Sequence, residues 1–192
     1  MKPIFKIIFS IIGCINISLC VAQKNVKLNL IDNRTMIEIL NKNKIEFQQS
    51  DLAFLKDLKS FINYSKKKLI VPDYFIFNKE GYLVNQGLDK EECNSLIRTF
   101  DHKLFRTDET ETLESFIKEI EFIDKDQEFK DKEFVVFITW ANFAHKNSNE
   151  ESFDNFSYIK KKYGNNVRVF LLNLDVNTSW NLTEKQKQLL KL

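Results

Sequence analysis

The sequence predicts an α/β domain, a mixed sheet flanked by helices. Two buried strands and the helix between them carry that expectation. "FVVFITW", Phe134 to Trp140, and "VRVFLLNLDV", Val167 to Val176, are runs of β-branched, aromatic and aliphatic residues. Such runs read as strands covered on both faces, hence central and parallel. Between them "NEESFDNFSYIKKKYG", Asn149 to Gly164, reads as a helix stopped by its glycine. Strands alternating with helices along the chain place it among α/β folds.

The upstream elements follow in order. "VKLNLI", Val26 to Ile31, alternates as a strand does, and Asp32 or Asn33 caps a helix carrying Met36, Ile37 and Leu40 on one side. "IEFQQSD", Ile45 to Asp51, is read as a strand. "LAFLKDLKSFINYSKKK", residues 52–68, sets Leu52, Leu55, Leu58, Phe61 and Ile62 on one helical face. "YFIFNKEGYLVNQ" reads as a hairpin of Tyr74–Asn78 and Tyr82–Asn85, with Gly81 supplying the positive φ of the turn. Residues 89–105 read as a helix capped by Asp89, and the polar run Arg106–Glu111 as a connection. Residues 112–123 read as a helix with Leu113, Phe116, Ile117 and Ile120 on one face, without a full capping box from Thr112 and Ser115. "TEKQKQLLKL" closes the chain as a short helix.

At 192 residues, 43% hydrophobic and 29% charged, the chain has material for one domain or somewhat more. With 4 glycines and 2 prolines it is expected to have few flexible linkers and no low-complexity spacer. Residues 1–22 carry the pattern of a signal peptide: Lys2 and Lys6, an apolar stretch from Ile7 to Val21, and Cys20 and Ala22 at a small-x-small cleavage position. The stretch is short for a membrane span. An alternative is a lipobox at Ile11-Ile12-Gly13-Cys14, which would anchor an envelope lipoprotein through Cys14. The expected destination is therefore export to a periplasm or the exterior, with no membrane insertion after cleavage.

Cleavage after Ala22 would leave equal numbers of basic and acidic residues. The lysine runs at 66–68 and 160–162 are short and suit helix C-termini. A balanced surface argues against nucleic acid as a partner. Cys93 would be the one remaining cysteine, so no internal disulfide is expected.

The strand, corner and helix from Phe134 to Val176 resemble the central β-α-β of the thioredoxin superfamily. Trp140-Ala141-Asn142-Phe143 matches the lead-in to that family's Cys-x-x-Cys, and Lys162-Tyr163-Gly164 and Asp175 match the segment beyond it. "VPDYFIFNKEGYLV" is similar to the segment that holds the family's cis-proline, placing Val71 and Pro72 beside the corner. The resemblance implies a thioredoxin-like mixed sheet with permuted or duplicated segment order, since the proline hairpin here precedes the Trp-Ala strand. In one arrangement residues 23–105 form a thioredoxin- or glutaredoxin-like unit and 106–192 a second β-α-β unit, the two sharing one sheet. In the other the chain is a circular permutation.

The family's two cysteine positions fall on Ala144 and Asn147. Thiol exchange needs an attacking thiolate and a resolving thiol, so the resemblance implies a degenerate, redox-inert corner. It implies binding through Trp140, Phe143, Ala144, His145, Lys146, Asn147, Val71 and Pro72, with another envelope protein as partner. Cys93 is the candidate thiol for an alternative single-cysteine oxidoreductase; a small exported structural or immunity-type protein is a further alternative. His145 and His102 have no ligand partners at a metal-binding spacing, so no metal is expected. No glycine-rich phosphate loop is present, so no cofactor is expected.

Overall fold

The computed structural model describes residues 28–67, 69–125, 127, 129 and 131–192. The expected export signal, with Cys14 and Cys20, lies outside them, as does the start of the Val26 strand. The strands are β1 (Leu30–Ile31), β2 (Leu52–Leu55), β3 (Tyr74–Asn78), β4 (Tyr82–Leu83), β5 (Asp108–Thr112), β6 (Ile120–Phe122), β7 (Phe134–Trp140), β8 (Val167–Asn173) and β9 (Val176–Asn177). The helices are α1 (Asn33–Lys42), α2 (Leu58–Lys67), α3 (Lys90–Thr99), α4 (Leu113–Ile117), α5 (Lys146–Tyr163) and α6 (Glu184–Leu190).

Seven strands form one mixed sheet in the order β5-β4-β3-β7-β8-β2-β6, and β1 pairs with β9 apart from it. β2, β8 and β7 run parallel, while β3 and β6 are antiparallel to their neighbours β7 and β2. β7 and β8 lie between β2 and β3. Neither half of the chain therefore has a sheet of its own.

Side chains alternate across the sheet, as the pleat requires. Phe134, Val136, Ile138 and Trp140 of β7 join a core under α1, α3 and α5, with Met36, Leu40, Leu96, Ile97, Phe153 and Phe156. Val135 and Phe137 face the other layer, where α2, α4 and α6 contribute Phe61, Phe116 and Leu190. That second layer is rich in aromatic contacts; Phe137 and Phe170 stack with ring centroids 4.9 Å apart. Buried rings of this kind bring large apolar area into the core.

Several local expectations are corrected. Leu52–Leu55 is a strand buried throughout, not the first turn of a helix. The leucine spacing fits a helix, but a strand covered on both faces loses its alternation and leaves only a short apolar run. The segment 45–51 forms no strand; its one regular element is the 3₁₀ turn Gln49–Asp51. Arg106–Glu111 enters β5, an edge strand whose charged sequence suits a solvent-facing edge. The helix over 112–123 ends at Ile117, and Ile120–Phe122 returns as β6. Thr112 and Ser115 do form a reciprocal capping box, with serine where a glutamate is usual. The helix read over 89–105 stops at Thr99, because Phe100 turns left-handed at φ 49°.

Candidate functional site

The corner after β7 is fastened from several sides. β7 ends at Trp140, which is wholly buried and packs on Phe153 at 5.5 Å between ring centroids. The chain then turns, with the Ala144 amide donating to the Ala141 carbonyl at 3.0 Å. The Asn149 side chain, on the first turns of α5, reaches back to both backbone groups of Ala141. Its Nδ2 donates to the carbonyl at 2.8 Å and its Oδ1 accepts from the amide at 3.1 Å. Such a side chain replaces the ladder partners that a strand loses where it leaves the sheet.

Asp175 holds the next residue. Its Oδ2 accepts from the Asn142 amide at 2.7 Å and from Asn173 Nδ2 at 2.9 Å. Asp175 is fully buried, and that burial pushes its carboxyl above the usual range, against the amide donors of Asn142 and Asn173 that pull it down. Among the described residues, Asp175 Oδ1 and Trp140 Nε1 are buried without a hydrogen-bond partner.

The Pro72 loop is bound to the same strand end. The Val71–Pro72 peptide is cis. Thr139 of β7 ties the loop down: its amide donates to the Asp73 carbonyl at 2.9 Å, and its hydroxyl accepts from the Asp73 amide at 2.7 Å and donates to the Ile70 carbonyl at 3.1 Å. Tyr64 of α2 donates to Asp73 Oδ2 at 3.0 Å. β3 pairs with β7 from Tyr74 opposite Ile138. Continuing that register sets Pro72 opposite Trp140, at the mouth of the corner.

The expected site residues divide by what they touch. Val71, Phe143 and Ala144 are half-buried and pack on the margin of the α2–α4–α6 core. Ile70, next to Val71, is 44% exposed, one of few large apolar side chains so open. These form an apolar lip. Trp140 and Pro72 lie beneath as buried supports. His145 is the N-cap of α5 but makes no side-chain capping bond, and it is exposed, as is Lys146, which pairs with Glu150 at 3.5 Å. Asn147 faces away from the lip, into a groove between α3 and α5.

Cys93 stands elsewhere. It is 5% exposed on α3, and Asn85 Nδ2 lies 3.6 Å from its sulfur. Burial pushes the thiol up, with Asp73, Asp89 and Glu92 acting in the same direction and the Asn85 hydrogen bond against it. A buried thiol of raised pKa is a poor nucleophile. Asn85 itself extends the sheet where β4 leaves it, accepting from the Ile76 amide and donating to the Tyr74 carbonyl.

Thr139 and Asn149, the two fasteners of the corner, carry no warning in the sequence beyond an asparagine-rich helix start. Among the described residues no cluster of His, Cys, Asp and Glu is arranged to hold a metal, and no helix is long and apolar enough to cross a membrane. The chain matches no protein-family model, and neither a curated protein nor a solved structure matches it.

Proposed function

We propose that this chain is a redox-inert, thioredoxin-like exported protein that acts by binding another protein of the cell envelope. The observation that carries the reading is the corner itself. Its backbone is fixed by Asn149, Asp175 and Thr139, yet the positions that resemble a thiol pair are Ala144 and Asn147. A corner held so firmly with no thiol in it suits recognition better than exchange chemistry. The sheet supports the resemblance by setting the Pro72 hairpin beside the Trp140 strand, although the chain order separates them. The lip of Ile70, Val71, Phe143 and Ala144 supplies apolar surface for a partner, with a polar rim at Asn142, His145 and Lys146. The buried sulfur of Cys93 weighs against an oxidoreductase built on that residue.

Insulin reduction in dithiothreitol tests the redox half. Wild type and Cys93→Ser are expected to match the buffer background. The double substitution Ala144→Cys/Asn147→Cys is expected to gain a rate, because it sets a thiol pair at the start of an 18-residue helix. A wild-type rate lost in Cys93→Ser would overturn the reading. Photo-crosslinkers at Ile70 and at Phe143 test the binding half. A discrete adduct from both positions in the native host, and none from Lys42 on the opposite layer, is expected. Equal yield at all three would remove the lip as a docking surface.

A further inference from the structure

The two buried side-chain atoms left without a hydrogen-bond partner among the described residues, Asp175 Oδ1 and Trp140 Nε1, belong to one end of the sheet. Asn173 stands opposite Trp140 in the β7–β8 register, and its bond to Asp175 at 2.9 Å keeps that carboxyl on the face Trp140 shares with α5. We propose that Asp175 is a proton-dependent latch on the corner. With the carboxyl neutral the corner stays closed; with it ionised the corner opens and the lip at Phe143 is released. The latch rests on the reading of that lip as a docking surface and adds its regulation.

The geometry sets two demands against each other. Asp175 is fully buried, and its Oδ2 takes the Asn142 amide at 2.7 Å and Asn173 Nδ2. The Phe143 amide acts on the same carboxyl. The carboxyl thus grips the backbone from which Phe143 projects into the lip. Neutral donors offset the burial of a negative charge only in part. An ionised Oδ1 without a donor adds the cost of an unsatisfied polar group, and Trp140 Nε1 adds another. Opening the corner gives both atoms water. Protonation removes the charge, and a neutral carboxyl can still accept from the amides, so the grip is kept.

No charged side chain among the described residues resolves the conflict. Lys56 and Asp57 follow β2 beside the end of β8, His145 and Lys146 begin α5, and Asp32 and Arg34 begin α1 next to β9. None of them acts on Asp175: burial pushes its carboxyl up, and only the Asn142, Asn173 and Phe143 donors oppose it. A raised folded-state value means that the proton stabilises the closed corner. That stabilisation is fully present below the unfolded carboxyl value of about 4 and is lost as pH rises through the folded one. Across that window the open corner gains up to about tenfold in population per pH unit. Asn149 carries no titratable group, so its bonds to Ala141 hold the base of the corner at either extreme.

Amide hydrogen exchange of the purified protein from about pH 4 to pH 8, corrected for the intrinsic pH dependence of exchange, tests the latch. Protection of the Asn142 and Phe143 amides should fall as pH rises. Both should exchange faster than Phe137 in the middle of β7, the mark of a local opening. Asp175→Asn keeps an acceptor and carries no charge; protection at both amides should then be flat across the range and higher than wild type at pH 7. Constant protection in wild type, the same fall in the variant, or exchange no faster than at Phe137 would overturn the proposal. Exchange needs no partner, so a crosslink that fails at Phe143 at every pH would count against the docking reading and leave the latch to be judged here. Where the crosslink forms in host extract, its yield should be lower at pH 8 than at pH 5 in wild type and equal at the two in Asp175→Asn. A variant as pH-sensitive as wild type would overturn the control of docking by Asp175.

Discussion

Two aspartates are buried at opposite ends of β8, and they are held in opposite ways. Asp51, 1% exposed, sits beside the start of the strand, where Arg168 Nη1 reaches it at 2.6 Å and Lys160 also bonds it. Burial pushes its carboxyl up, but Lys160, the Gln48 amide and Arg168 together outweigh that and hold it below the usual range. Asp175, equally buried past the other end, meets amide donors from Asn142, Asn173 and Phe143 and no cation, and burial wins. Two full cations offset the cost of removing a carboxylate from water; neutral dipoles do so only in part. One end of the strand is thus an ionic anchor. The other is a hydrogen-bonded corner that disfavours the charge on its carboxyl.

Asp51→Asn breaks the anchor and should have the largest effect. Lys160 and Arg168 would be left facing each other. Because Lys160 is 35% exposed and water screens it, we expect a loss of about 3 kcal/mol, the low end for breaking a buried pair. The midpoint of urea unfolding reads this. A loss below about 1 kcal/mol would mean that the anchor behaves as a surface pair. The difference between wild type and variant should shrink as pH falls below about 4, because a carboxyl with a lowered folded-state pKa contributes above its unfolded value and loses that contribution on protonation.

Asn149→Ala tests the corner. It removes both bonds to Ala141 and should cost about 1–2 kcal/mol. Hydrogen exchange should quicken at the Ala141 and Ala144 amides while Phe137 in the middle of β7 stays protected. Uniform quickening would show that the corner is not a separate local unit.

Asp175→Asn should give the smallest change, and of the opposite sign to Asp51→Asn. Asparagine can still accept from the Asn142 amide but carries no charge to bury. A carboxyl with a raised folded-state pKa contributes fully below its unfolded value and loses that contribution as pH rises through the folded one. The variant should therefore be the more stable protein at pH 7, with the advantage vanishing near about pH 4. Lower stability at pH 7 would show that the ionised carboxylate is needed to hold Asn142.

The sheet was unevenly legible in the sequence. β7 and the Tyr74 hairpin could be read to the residue at most ends, because long β-branched and aromatic runs admit few other structures. β2 could not, since its short leucine-rich run also fits a helix. β5 was hidden by its charges. At the site, Trp140 to Asn147 and Pro72 stood out by their residue types, but the division into an apolar lip and a polar groove did not. That division depends on which face of α5 each residue takes once the helix has packed.

By itself, the sequence determined the central strand, the helix after it, the hairpin at Gly81 and the absence of thiols at Ala144 and Asn147. These are local matters of side-chain shape, period and identity. Only the tertiary structure decided that β7 and β8 lie between β2 and β3, that Thr139 binds the Pro72 loop, and that Lys160 and Arg168 meet Asp51. Those contacts join residues as many as 117 positions apart. No local preference encodes such a pairing; it arises when the two faces of the sheet are covered and each buried polar group has to find its partner among the groups that packing brings near.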